Sequence, residues 1–134
     1  KCLLVHRSYY VSRRSRCPYT FADLIQRPFA EEEAILQTIA RTTAQLHEQG
    51  LLHKDYSRGN ILFALTEEEV QVEIIDLNRI RFKQISWKEG CRNFERLPLT
   101  DRMLTTLTVA YAQERGFDER QCLQWMQAHH TNRI

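Results

Sequence analysis

Leu46-His47-Glu48-Gln49-Gly50-Leu51-Leu52-His53-Lys54-Asp55-Tyr56-Ser57-Arg58-Gly59-Asn60-Ile61-Leu62-Phe63 is the stretch on which the fold and the chemistry of this chain turn. Its first residues close a helix that the spacing predicts over Ala30–Gln49. Ile35, Ile39, Thr42 and Leu46 recur at intervals of four, three and four, one face of a 3.6-residue period. Glu31, Glu32 and Glu33 crowd the N-terminus of that helix, where the dipole favours carboxylates, so they read as capping charge rather than a metal cluster. Gly50 is placed to be the left-handed C-terminal cap. Beyond it, Ile61–Leu65 and Val70–Ile75 are apolar or alternating runs separated by Thr66–Glu69, the pattern of a β-hairpin. The hairpin ends on Ile74-Ile75-Asp76-Leu77-Asn78.

A lone His-x-Asp triplet carries little information. Five features in order carry much more: a helix, His53-Lys54-Asp55, Asn60 five residues after the Asp, a hairpin, and Asp76 after a buried strand. Phosphoryl transfer accounts for that order. A hydroxyl nucleophile must be oriented and must lose its proton, and the Asp55 carboxylate is suited to both. The phosphates of a nucleotide travel with Mg²⁺, a hard cation that takes one or two protein oxygens beside phosphate and water oxygens. Asn60 and Asp76 would supply those oxygens, since a strand pair that folds back returns Asp76 to the start of its first strand. His53 reads as a brace of the loop rather than as a base.

Outward from this centre the chain is less informative. Cys2–Ser12 reads as two short strands or one bent strand, with His6–Ser8 at the bend. Arg13, Arg14 and Arg16 precede Cys17-Pro18 in a connector. They read first as a solvated loop, with an anionic headgroup or a substrate phosphate as the alternative contact. A short helix over Thr20–Gln26 is capped by Thr20 and Asp23. Past the less regular stretch Arg81–Pro98, Thr100 caps a helix ended by Gly116, and Asp118 with Gln121 caps another. The 134 residues suffice for one core but not for two typical domains. Nineteen Lys and Arg against seventeen Asp and Glu argue against a dedicated nucleic-acid binder. No apolar run approaches the ~18 residues of a membrane-spanning helix. Leu3–Val5 is broken by His6 and Arg7 and does not read as a secretory signal. Cys2, Cys17, Cys91 and Cys122 form no close pair, so reduced, buried thiols are expected rather than zinc or a disulfide framework.

The central stretch resembles the catalytic loop and metal-binding segment of the protein-kinase-like fold, His-Arg-Asp-x-x-x-x-Asn followed by Asp-Phe-Gly. More narrowly, His53-Lys54-Asp55-Tyr56-Ser57-Arg58-Gly59-Asn60-Ile61-Leu62 and Ile74-Ile75-Asp76-Leu77-Asn78-Arg79 are similar to the lipopolysaccharide kinase family, which phosphorylates Kdo or heptose sugars of the lipid A–core. Ser8–Ser12 and Thr20–Leu24 fit the strand entering the interlobe hinge and the first large-lobe helix. The resemblance implies an α+β, mainly helical, kinase-like C-terminal lobe, with residues 1–12 ending the small lobe, 13–19 forming the hinge connector and 20–134 the large lobe. It implies Asp55 as the catalytic residue, Asn60 and Asp76 as metal ligands, ATP and Mg²⁺ as cofactors, and a lipid A–core saccharide as acceptor. It also implies a bacterial, cytoplasmic protein, with peripheral contact at the inner membrane as a further expectation.

The departures narrow the reading. Lys54 stands where Arg is usual, Ser57 where many protein kinases carry a phosphate-contacting Lys, and Asn78 where Asp-Phe-Gly has its glycine. No Ala-Pro-Glu follows. These differences favour a sugar or small-molecule kinase over a Ser/Thr/Tyr kinase. No glycine precedes Gly50, and Lys1 cannot serve as the nucleotide-binding Lys of a Lys–Glu pair. A truncated piece, inactive alone, is therefore expected, with a natural remnant as the alternative. Two other readings stay open: a choline- or aminoglycoside-phosphotransferase-like kinase, and a non-catalytic kinase-like scaffold.

Overall fold

The computed structural model describes the strand backbones at 2–6 and 9–12, and residues 17–134 in full. Arg13, Arg14 and Arg16, and the side chain of Cys2, lie outside the described residues. Two strands, β1 (Cys2–His6) and β2 (Tyr9–Ser12), form an antiparallel pair. β3 (Tyr19–Thr20) leads directly into α1 (Phe21–Gln26), whose start is held by the Asp23 carboxylate accepting from the Thr20 N–H at 2.8 Å.

α2 (Glu32–Glu48) is the central helix. The expected face is buried, with Ile35, Ile39, Thr42 and Leu46 all within 2% of full burial. Burial goes further round than the pattern predicts, taking in Ala40, Thr43, Ala44 and His47. The helix lies between the sheet and a second long helix, so it has little solvent face to spare. The Thr38, Thr42 and Thr43 hydroxyls each donate at 2.7 Å to the carbonyl four residues back, so none is buried unpaired. Gly50 ends the helix at φ +77°; a Cβ there would stand 3.0 Å from the Lys83 carbonyl oxygen, so the position requires glycine twice over.

The chain then runs through β4 (Leu51–His53), β5 (Ile61–Leu65), β6 (Val70–Ile74) and, past a 3-10 turn at Leu77–Arg79, β7 (Ile80–Phe82). β5 and β6 form the expected hairpin, with Ile61 opposite Ile74 and Leu65 opposite Val70. It is the centre of a five-stranded sheet of order β1-β2-β6-β5-β3, in which β2 joins β6 in parallel. β4 and β7 pair antiparallel in a second ribbon, with Leu51 opposite Phe82 and His53 opposite Ile80. That ribbon and the short helix α3 (Trp87–Arg92) replace the irregular structure expected at both places.

α4 (Asp101–Arg115) and α5 (Glu119–His129) complete the fold. Their caps are the expected ones. Thr100 accepts from Met103 N at 3.1 Å, Gly116 closes α4 at φ +72°, and Asp118 accepts from Gln121 N at 2.9 Å. α4 packs along α2 on one side and α5 on the other. Leu104, Leu107 and Tyr111 from α4 join Phe94, Leu97 and Met126 in a continuous core. Cys91 and Cys122 are buried free thiols, and Cys17 is buried as well.

Candidate active site

Asp55 and Asp76 lie in the two crossings between the ribbons, β4 to β5 and β6 to β7. Pairing of Ile61 with Ile74 puts Asn60 against Ile75, whose N–H donates to the Asn60 carbonyl at 3.0 Å. Asp76 is the next residue. The Asn60 amide donates from Nδ2 to the Asp55 carbonyl at 2.8 Å and to Ser57 Oγ at 3.4 Å. The sheet register and one side chain thus bring Asp55, Asn60 and the Asp76 turn into a single cluster.

His53 spans the two crossings. The Asp55 N–H donates to its Nδ1 at 3.1 Å, and its Nε2–H donates to the Ile75 carbonyl at 2.8 Å. Those partners require the neutral ring protonated on Nε2. Burial, partly offset by the Ile75 hydrogen bond, holds its pKa below the ordinary histidine value. His53 is therefore the brace expected of it. A further backbone bond, Lys54 N to Arg79 O at 2.7 Å, ties the same crossings together. Beneath the loop, the Tyr56 ring is buried and its hydroxyl donates to Thr43 Oγ1 at 2.5 Å, which anchors Asp55 to α2.

Asp76 sits at φ +67° and ψ +56°, and it is the one non-glycine residue with positive φ among the described residues. Left-handed backbone costs an L-residue about 1–2 kcal/mol, less for Asp than for most. Such strain collects at functional positions. Among the described residues the Asp76 carboxylate makes no hydrogen bond, and Asn60, with its amide nitrogen engaged, leaves Oδ1 uncommitted. Two free, half-buried oxygen donors on adjoining loops suit a magnesium ion that brings phosphate and water oxygens of its own. No group of three or more His, Cys, Asp or Glu side chains arranged to hold a metal by itself occurs among the described residues.

Two residues that no sequence pattern marks reach this cluster from the segment after α3. Arg96 Nη1 lies 2.6 Å from Asp55 Oδ1. The arginine side chain is 61% exposed, so a pair of this kind contributes about 0–1 kcal/mol. Asn93 Nδ2 donates to the His53 carbonyl at 2.9 Å. Behind Asn93 runs a directional chain: Arg115 donates to the Tyr111 oxygen (2.9 Å), Tyr111 O–H to His47 Nδ1 (2.6 Å), and His47 Nε2–H to Asn93 Oδ1 (2.9 Å). The Tyr111 O–H bond to His47 Nδ1 requires the neutral ring, and burial lowers the His47 pKa to about 4. A groove of about 910 Å³ lies between the end of α2 and α3 and is lined in part by His47, Phe82 and Trp87. It contains none of Asp55, Asn60 or Asp76.

An α+β fold that holds a carboxylate, an amide and a second carboxylate on paired crossings of one hairpin is a kinase-like fold. Residues 20–128 match the model of the lipopolysaccharide kinase (Kdo/WaaP) family, and the chain belongs to that family of kinases. The solved structure of WaaP in complex with acyl carrier protein superposes at a TM-score of 0.61 with 19% identity, over 84% of this chain and 57% of that one. The likeness shows a shared fold, and this chain spans little more than half of that protein. A mouse (Mus musculus) protein, ribosomal protein S6 kinase alpha-2, is 52% identical over 42 residues, which is 30% of this chain and 6% of the relative.

Proposed function

We propose that this chain is the large-lobe part of an ATP-dependent sugar kinase acting on a saccharide of the lipopolysaccharide core. The observation that carries the reading is the Asn60 bond to the Asp55 carbonyl, made beside the strained Asp76 turn. In this reading Asp55 orients the acceptor hydroxyl and takes its proton. Asn60 Oδ1 and the Asp76 carboxylate hold magnesium, which when bound neutralises phosphate charge on the nucleotide. His53 keeps both crossings in register, and the Asn93 chain fixes the loop from behind. Residues 1–12 would end the small lobe and 13–19 form the hinge connector, with the rest of the nucleotide-binding lobe preceding Lys1. Such an enzyme would work in the cytoplasm, with peripheral contact at the inner membrane as a further proposal. No helix among the described residues is long and apolar enough to cross a membrane.

The test is transfer of ³²P from labelled ATP to a lipid A–core acceptor, with choline and a peptide as controls, using this chain alone and joined to its upstream lobe. Magnesium-dependent transfer to the sugar by the longer protein, and little by the chain alone, is the expected result. Transfer to choline or peptide but not sugar would refute the lipopolysaccharide acceptor while sparing the kinase. No transfer to any acceptor by the folded longer protein would leave a scaffold.

A further inference from the structure

A groove of about 770 Å³ is lined by Ser57, Arg58, Glu95, Arg96, Pro98 and Asn132, and it adjoins Asp55 through Arg96, whose Nη1 lies 2.6 Å from Asp55 Oδ1. Its two arginines come from different parts of the chain, Arg58 from the loop that carries Asp55 and Arg96 from the segment after α3. The backbone at Arg96 is fixed on both sides. Its own carbonyl accepts from Asn132 Nδ2 at 3.1 Å, and the buried Leu97 next to it is held through its carbonyl by His130 Nε2 at 2.9 Å. Leu99 then bridges to Arg133. The exposed guanidinium thus projects from a hydrogen-bonded backbone. Among the described residues its one bond is to Asp55, and Arg58 has none.

A guanidinium presents five donors in a planar fork that matches a carboxylate or phosphate in two-point contact. Its single bond to Asp55 Oδ1 uses one of those donors, in a weak, solvent-screened pair. A second anion beside Asp55 can therefore engage Arg96 at little cost. Arg58 adds a second cation across the groove, and Glu95 is the one acid on its lining. We infer that the Arg58–Arg96 groove binds an anionic substituent of the acceptor, a carboxylate or a phosphate, so that Arg96 sets acceptor specificity by holding that substituent next to the hydroxyl that Asp55 orients. The inference rests on the assignment of Asp55 to the acceptor side.

The experiment uses the longer protein and matched acceptor pairs. One pair is a methyl glycoside of Kdo and its methyl ester; the other is a heptose with and without a neighbouring phosphate. Transfer from ATP and calorimetric binding are both measured, for the natural protein and for Arg96→Gln and Arg96→Lys. Thermal midpoints confirm that the variants fold, as expected for an exposed side chain. The natural protein should prefer the charged member of at least one pair, and the pair that responds identifies the anion. Arg96→Gln should cut that preference at least tenfold, mostly through the KM of the acceptor, and Arg96→Lys should fall between. Equal handling of charged and neutral acceptors by the natural protein overturns the inference, as does an Arg96→Gln protein slowed by the same factor on both. If no transfer occurs at all but charged acceptors still bind through Arg96, the groove stands and the kinase reading falls. If charged acceptors do not bind, the groove falls.

Discussion

Replacing Gly90 by Ala sets two opposed effects against each other. Gly90 lies inside α3, where exchange for Ala ordinarily stabilises by about 1 kcal/mol. Here the new Cβ would fall 1.8 Å from the Tyr111 hydroxyl oxygen and 2.9 Å from its Cζ. Tyr111 has nowhere to swing. Its ring packs edge-on against Phe94 at 5.4 Å and His47 at 5.5 Å. Its hydroxyl bonds His47 at 2.6 Å and Arg115 at 2.9 Å. Overpacking of this kind costs about 1–3 kcal/mol. Breaking the two hydroxyl bonds adds about 1–3 kcal/mol, with the charged Arg115 partner towards the upper end. With the helix gain subtracted, Gly90→Ala should destabilise by about 1–5 kcal/mol. Urea unfolding followed by circular dichroism and tryptophan fluorescence measures it. Tyr111→Phe supplies the control: with the oxygen gone, the nearest atom is Cζ and the ring need shift only slightly. The same Gly90→Ala change should then cost less than half as much. A Gly90→Ala protein as stable as the natural one, or an equal loss in both backgrounds, would refute the steric account.

Three more outcomes follow from the site and the core. In the longer protein Asp55→Ala should lower turnover by about 10²–10⁴-fold with nucleotide affinity nearly unchanged; near-normal turnover would remove Asp55 from the acid–base role. Asp76→Asn should weaken magnesium-dependent nucleotide binding, read by calorimetry with and without Mg²⁺, while the unfolding midpoint holds, because one carbonyl oxygen survives but the charge does not. Stability should fall with acid: between pH 6.5 and about 4 the unfolded chain protonates His47 and the folded chain does not, so the full contribution is present above pH 6.5 and is lost as the pH drops. The His47 share is on the order of 3 kcal/mol, His53 and His130 act in the same direction, and an unfolding midpoint equal at pH 7.5 and pH 5 would contradict it.

What could be read from the amino acids was local. Thr100, Asp118, Gly50 and Gly116 mark helix ends because a cap is chemistry between neighbours in sequence. The β5–β6 hairpin was legible from alternation across a four-residue turn. β4 and β7 were not, since three-residue strands have no period to detect, and each is held by a partner about thirty residues away. Gly90 in its centre disguised α3 as loop, where the glycine in fact makes room for Tyr111. Asp55, Asn60 and Asp76 could be named as a cluster because they stand at fixed distances along one hairpin. Arg96 and Asn93 could not, for they meet the loop from 41 and 40 residues away and belong to no motif.

The two ribbons are nested: β5 meets β6 within the loop that β4 and β7 close. Nesting couples the two closures through loop entropy. The inner turn at Thr66–Glu69 closes a short loop at small entropic cost, and only then is the span between β4 and β7 shortened enough to zip cheaply. Asp55 and Asp76 sit in the gap between the two closures, so the cluster is complete only while both ribbons are paired. Occupancy of the cluster and integrity of the core then have different thresholds. A sample whose hairpin is fully paired can still contain molecules without a built cluster, and a spectroscopic signal dominated by the helices and inner sheet will overcount the competent fraction.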